Sequence, residues 1–212
     1  MKTMIFDFDG VIADTMKDNC LAWKNAFANY NHILNDSEYY RLEGMGRFQI
    51  AQYFIDKYNL DPLIKSDIVA EKEFYYHNNN SFKIYEHIPE IFAFLERKLV
   101  KTAIVTGASR ERIHRYLGKN ILTFISALIT ADDIEKSKPH PEPYLKAVDQ
   151  LGVEPKDCIV VENSILGIIA AKKAGCKCFA LQTTLDAKEL QDADEIFNTH
   201  KDLLERLKIQ FT

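Results

Sequence analysis

Six short apolar runs, each ending at or beside a polar residue, limit most sharply the folds open to this chain. They are TMIFDFD from Thr3, KTAIVTG from Lys101, FISALIT from Phe124, CIVVEN from Cys158, KCFALQ from Lys177 and, more weakly, DEIFN from Asp194. From Lys101 onward helical patterns lie between them. One covers 110–120 and ends near Gly118, a second runs from Pro143 to Leu151 and stops at Gly152, and a third runs from Ile165 to Ala174 and stops at Gly175. Strand, helix, strand, helix is the pattern of a parallel sheet covered on both faces. AIVT and CIVVE, apolar without alternation, suit strands buried on both sides.

Residues 15–83 break this pattern. They read as helical throughout, in DTMKDNCLAWKNAFANY, SEYYRLEGMGRFQIAQYFIDKY and LIKSDIVAEKEFYYHNN, with dense aromatics and no convincing strand. The polar stretch from His77 to Ser81 is the expected return linker. The expected organisation is therefore an α/β core, a Rossmann-like parallel sheet made of 1–14 and 84–212, with a smaller helical domain of 15–83 inserted after the first strand. A length of 212 residues accommodates both.

Composition excludes several function classes. With 47% hydrophobic and 27% charged residues the chain has an ordinary globular balance rather than a disordered one. A net charge of -4 and the absence of a long basic run disfavour duplex nucleic acid as partner. No apolar run reaches the roughly 18–20 residues of a membrane span. The N-terminus lacks a basic-then-apolar leader, so the expected location is the cytoplasm. Cys20, Cys158, Cys176 and Cys178 read as reduced core thiols, without the spacing of a zinc site.

Four strand ends carry chemistry. In an extended strand Asp7 and Asp9 face the same side, at the end where parallel sheets bind ligands. Like charges so placed need a cation, and Mg²⁺ is the natural one; one carboxylate can then serve as nucleophile and the other as acid/base. The plain alternative is a capped turn at Asp9-Gly10. Thr106-Gly107, followed by a helix starting near Ser109, offers a hydroxyl and free N–H groups to an anion, or only a helix cap. Lys138, stiffened by Pro139, Pro141 and Pro143, offers a fixed charge to a phosphate, or a solvated loop lysine. Glu162-Asn163 offers two oxygens to Mg²⁺, or caps the next helix. The strand ends of one parallel sheet converge, so the four pieces share one cleft.

In that order the pieces resemble the motifs of the haloacid dehalogenase-like superfamily. Asp7-Phe8-Asp9-Gly10-Val11 is similar to its Asp-x-Asp-Gly motif, Thr106 to the Thr/Ser at its second strand end, and Lys138-Pro139-His140-Pro141 to its Lys-Pro-x-Pro. Glu162-Asn163-Ser164 with Gly167-Ile168, Ala170-Ala171 and Ala174-Gly175 resembles the fourth. The resemblance implies an HAD-like core with an α-helical cap and phosphoryl transfer to Asp7, forming an aspartyl phosphate. It implies that Asp9 is the acid/base, that Thr106, Gly107 and Lys138 hold the phosphoryl oxygens, and that Asp7, the Asp9 carbonyl, Glu162 and Asn163 hold Mg²⁺. Asp9 also argues against the dehalogenases and phosphonoacetaldehyde hydrolases, which lack that second acid.

Asp14-Thr15, Ala22-Trp23-Lys24 and Leu42-Glu43-Gly44-Met45-Gly46-Arg47 resemble the β-phosphoglucomutase-like branch. Arg47 and Lys72 would then be the cap cations that grip a second phosphate. Asn19 stands where the mutase has histidine, which favours simple hydrolysis. Asn163 stands where the pattern has aspartate, which implies weaker Mg²⁺ binding. The expected function is a Mg²⁺-dependent phosphatase of small phosphorylated metabolites such as sugar phosphates, acting as a monomer. The alternatives are a phosphosugar mutase and a non-catalytic phosphometabolite-binding protein.

Overall fold

The computed structural model describes residues 3–211; residues 1, 2 and 212, at the ends of the expected core segments, lie outside it. The first half of the chain forms β1 (Thr3–Phe6), α1 (Met16–Ala28), α2 (Asp36–Arg41), α3 (Arg47–Tyr58), α4 (Lys65–Asn79), α5 (Ile88–Arg97) and β2 (Thr102–Val105). There follow α6 (Arg110–Tyr116), α7 (Lys119–Leu122), β3 (Ala127–Ile129), α8 (Glu142–Leu151), β4 (Cys158–Glu162), α9 (Ile165–Lys173), β5 (Lys177–Leu181), β6 (Glu195–Phe197) and α10 (His200–Gln210). The strands make one sheet in the order β3-β2-β1-β4-β5-β6, with every pairing parallel.

All six expected strands are present, and the two-residue period decides which side chain enters which layer. Met4 and Phe6 of β1 join a cluster with Ile91, Phe92 and Leu95 of α5, Ile113 of α6 and Leu203 and Leu207 of α10. Ile5 points the other way, into a cluster with Tyr144 and Val148 of α8 and Ile168 and Ala171 of α9. Asp7 follows Ile5 at the same parity, so its carboxylate emerges on the α8 side. All four cysteines are buried and free. No helix among the described residues is long and apolar enough to cross a membrane.

Two helices lie outside the sequence expectation. Helix α5 carries a legible apolar stripe at Ile88, Ile91, Phe92 and Leu95. Helix α10 carries a capping box, in which Thr199 Oγ1 accepts from Asp202 N at 3.2 Å and Asp202 Oδ2 accepts from Thr199 N at 3.0 Å. Two boundaries differ as well. The helix expected across 37–58 is broken at 42–46, where Gly44 takes φ +92°. The linker expected from His77 starts later, because α4 continues through Asn79. The side chains of Asn78, Asn79 and Asn80 donate to the carbonyls four residues back and prolong the turn.

Helices α1–α4 have their own apolar cluster, with Trp23, Phe27, Phe54, Ile55 and Ile68 at its centre. The chain enters and leaves this cluster along paired segments: Asp14 N donates to the Lys83 carbonyl and Tyr85 N to the Ile12 carbonyl, both at 3.0 Å. We propose that this crossing divides two units, 1–14 with 84–212 and the helical 15–83. Phe54→Ala should then cost about 3–5 kcal/mol, and hydrogen exchange should locate the loss. Amides of α1–α4 lose protection while those of β1, β2 and β4 keep it; an equal loss in both would contradict the division.

Candidate active site

Strand β1 ends at Phe6, and the backbone turns at once. The Phe8 carbonyl accepts from Ile12 N at 2.9 Å and Ala13 N at 3.0 Å, while Gly10, at φ +79°, donates its N–H to the Ala13 carbonyl at 2.8 Å. That N–H is therefore used inside the turn. The glycine is needed for its φ and for space, since a Cβ there would lie 2.0 Å from Asn163 Nδ2. Because the strand has already ended, Asp7 and Asp9 line one cavity without sharing one partner.

Asp7 meets Lys138. Lys138 is 2% exposed, and its Nζ lies 2.6 Å from Asp7 Oδ1 and 2.7 Å from Glu162 Oε1. Tyr144 of α8 donates its hydroxyl to Glu162 Oε1 at 2.6 Å. Glu162 Oε2 accepts from Asn163 N, Ser164 N and Ser164 Oγ at 2.9, 3.2 and 2.9 Å. Both its oxygens are thus saturated by protein donors, and Glu162 has no exposed surface. In this arrangement Glu162 fixes Lys138 and the start of α9. A Cβ on Gly167 would fall 1.8 Å from Glu162 Oε1, so glycine is required there.

Asp9 has a separate set of partners. Its Oδ1 accepts from Thr15 Oγ1 at 2.5 Å and Asn19 Nδ2 at 3.2 Å, and it pairs with Arg112 of α6. Asn19 Oδ1 in turn accepts from Lys72 Nζ at 2.9 Å and the Arg112 guanidinium at 3.4 Å. Lys72 also pairs with Glu73 at 3.0 Å. Burial pulls the Lys72 ammonium below its ordinary pKa, with the Glu73 carboxylate opposing. Arg112 sits 4.6 Å from the Tyr76 ring and Lys72 5.1 Å from it. Arg47, half-buried, lines the same cavity and has Asp132 at 3.9 Å.

On the neighbouring strand end Thr106 Oγ1 accepts from Ala108 N at 3.0 Å, which leaves its own hydrogen for an incoming acceptor. Ser109 caps α6 by accepting from Arg112 N. Gly107 lines the cavity, with Thr106 one residue before it and Lys138 against Asp7, another lining residue. The 42–46 loop closes the cavity from above. A Cβ on Gly107 would be 3.1 Å from the Met45 carbonyl, and one on Gly44 would be 3.2 Å from Lys138 Cδ. The loop also brings in Glu43, 5% exposed, whose Oε1 accepts from Asn163 Nδ2 at 2.5 Å.

Arg112 and Glu43 escape the sequence reading. Arg112 sits in a helix rich in charge, SRERIHR, where it reads as solvated surface. Glu43 lies between an apolar residue and a glycine in a loop, with no periodicity to mark it.

Among the described residues no three acid, histidine or cysteine side chains form a ready metal cluster. The site does hold oxygens without partners. Among the described residues Asn163 Oδ1 and Glu43 Oε2 are buried and unpartnered, no backbone N–H of the turns and loops donates to the Asp9 carbonyl, and Asp7 meets Lys138 through Oδ1. Uncommitted oxygens beside an acidic cluster suit a hard cation such as Mg²⁺.

The acid–base state of Asp7 points the same way. Burial pushes its carboxyl up to about 7, against the pull of Lys138, with Glu162 adding to the rise. A nucleophilic carboxylate there is fully ionised at neutral pH only with further positive charge. Because the folded-state pKa is raised above 3.8, this group's contribution to stability is complete below about pH 4 and is lost as pH rises through about 7. The melting temperature of metal-free Asp7→Asn should therefore gain on that of the wild type between pH 5 and pH 8. A difference that stays flat or shrinks would contradict the assignment.

Residues 4–181 match the haloacid dehalogenase-like hydrolase family. The validoxylamine A 7'-phosphate phosphatase of Streptomyces hygroscopicus subsp. limoneus is 30% identical over 207 residues, which is 96% of this chain and 95% of that protein. Pyrophosphatase PpaX of Oceanobacillus iheyensis is 26% identical over 208 residues, 96% of this chain and 92% of its own. Among solved structures, β-phosphoglucomutase from Clostridium difficile superposes with a TM-score of 0.84 at 23% identity, over 100% of this chain and 97% of that one. A hydrolase from Pseudomonas syringae gives 0.89 at 22%, over 98% of each. These two likenesses establish a common fold. The family match and the long relatives show that the chain belongs to the haloacid dehalogenase-like hydrolases.

Proposed function

We propose that the chain is a Mg²⁺-dependent phosphatase of small phosphorylated metabolites, with sugar phosphates as the substrate class. The observation that carries this reading is the buried Asp7–Lys138 contact of 2.6 Å at the end of β1. A second acid, Asp9, lines the same cavity. The phosphatases among the long relatives support it.

In this reading Asp7 attacks phosphorus through the oxygen not held by Lys138. The P–O bond to the leaving group breaks, and Asp9 gives that oxygen a proton. Three donors converge on Asp9 Oδ1, so Oδ2 is the oxygen placed for proton transfer. The aspartyl phosphate on Asp7 is then hydrolysed by water, which Asp9 deprotonates. Lys138, the Thr106 hydroxyl and the Gly107 N–H hold the phosphoryl oxygens, which is where phosphoryl transfer needs charge. Asp7, the Asp9 carbonyl and Asn163 are the residues that would hold Mg²⁺. Bound there, the ion supplies positive charge to the nucleophile and the phosphoryl group.

The cavity measures about 50 Å³, well below the roughly 300–1,000 Å³ of small-molecule sites. Substrate entry therefore requires the 42–46 loop to lift, and its return excludes water. Arg47, Lys72 and Arg112 bring three cations to the cavity, beside Glu43 and Glu73, and could meet a second anionic group on the substrate. That set also serves a mutase, which begins at the same Asp7. Asn19, in place of the mutase's histidine, is held among Asp9, Lys72 and Arg112, and an amide cannot relay a proton at neutral pH, so we favour hydrolysis.

A panel of phosphorylated metabolites, assayed for phosphate release with and without Mg²⁺, tests the reading. Release should depend on Mg²⁺ and fall by about 10³-fold or more in Asp7→Asn. Undiminished release by that variant would contradict the role of Asp7. Isomerisation of β-glucose 1-phosphate without net phosphate release would establish the mutase instead.

A further inference from the structure

Asn163 takes the place of a carboxylate in the sequence pattern, and the structure brings a carboxylate against it from elsewhere in the chain. Glu43 reaches down from the 42–46 loop, accepts from Asn163 Nδ2 at 2.5 Å and is 5% exposed. Its other oxygen, Oε2, is buried and has no partner, and neither has Asn163 Oδ1. Glu43 lines the same cavity as Asp7 and Asp9. The charges do not balance within the protein. Among the described residues Asp9 is matched by Arg112, Asp7 and Glu162 share Lys138, and Glu43 has no ion pair, so the cluster lacks two positive charges when its acids are ionised. An unpaired buried carboxylate is costly, and one divalent cation makes up the difference.

We propose that Glu43 supplies, from the helical unit, the carboxylate charge that Asn163 does not, so that one divalent cation holds the 42–46 loop onto the strand ends. This rests on the Mg²⁺ reading given above and adds the source of the charge. Cation binding and loop closure are then linked, and each strengthens the other. In a chain with aspartate at position 163 the core alone carries that charge. Here the charge arrives with the loop, whose close packing on Gly107 and Lys138 places it.

The test is calorimetric titration of the intact, metal-free protein with Mg²⁺ alone. Glu43→Gln, nearly isosteric, should bind Mg²⁺ at least tenfold more weakly than wild type, and adding Asn163→Asp to it should restore most of the loss. Affinity in Glu43→Gln within twofold of wild type, while Asp7→Asn still weakens binding, would overturn this proposal and leave the Mg²⁺ reading standing. A wild type that binds no Mg²⁺ would overturn both. Hydrogen exchange on the wild type gives an answer that does not require the variant to fold. Saturating Mg²⁺ should slow the amides of Leu42, Glu43 and Met45, and unchanged exchange there would refute the linkage.

Discussion

Lys138 holds two carboxylates that come from adjacent strand ends, and the arrangement of the site follows from that contact. A buried ion pair of this kind adds little net stability over an apolar equivalent, yet removing one member costs about 3–5 kcal/mol. Its value here is positional. Lys138 comes from the proline-stiffened segment before α8, Asp7 from the end of β1 and Glu162 from the end of β4. Tyr144 and the first turn of α9 saturate Glu162, so the lysine is tied on the far side and can move little toward or away from Asp7. The parallel register, with Phe6 beside Ile104 of β2 and Val161 of β4, sets all three strand ends at one level.

A second layer of charge rests on this one. Asp9, Asn19, Arg112 and Lys72 form a chain of contacts that starts in the core and ends in helix α4. Asn163 and Glu43 make a shorter link from β4 to the 42–46 loop. The helical unit therefore reaches Asp9 and the end of β4 through different residues, Asn19 and Glu43.

The chain's local pattern made much of this legible. Apolar runs predicted the strands, and the polar residues at their ends, Asp7, Thr106 and Glu162, predicted the convergence; Lys138 stands not at a strand end but on the proline-stiffened segment between β3 and α8. The strand-end residues are visible because a buried strand cannot tolerate them earlier and a strand end can use them. Arg112 and Glu43 were not legible. Arg112 meets Asp9 across 103 residues and Glu43 meets Asn163 across 120, and no local periodicity encodes a pairing of that range. The contacts of Glu162 were hidden for a related reason. Sequence places an acid at the strand end, but only the fold reveals that five protein donors already occupy it. The break at 42–46 depends on Gly44 taking a left-handed conformation, which the apolar pattern of the helices on either side conceals.

Acid quenching of the enzyme during turnover of a metabolite identified in the phosphatase panel, followed by mass spectrometry of the peptide spanning Asp7, asks whether Asp7, positioned by Lys138, forms a covalent bond to phosphorus. A transient phosphoryl group should be found on Asp7 and be lost to inorganic phosphate when unlabelled substrate is chased in. Steady phosphate release with no phosphorylated peptide under the same quench, or with the phosphoryl group on a different residue, would contradict that bond.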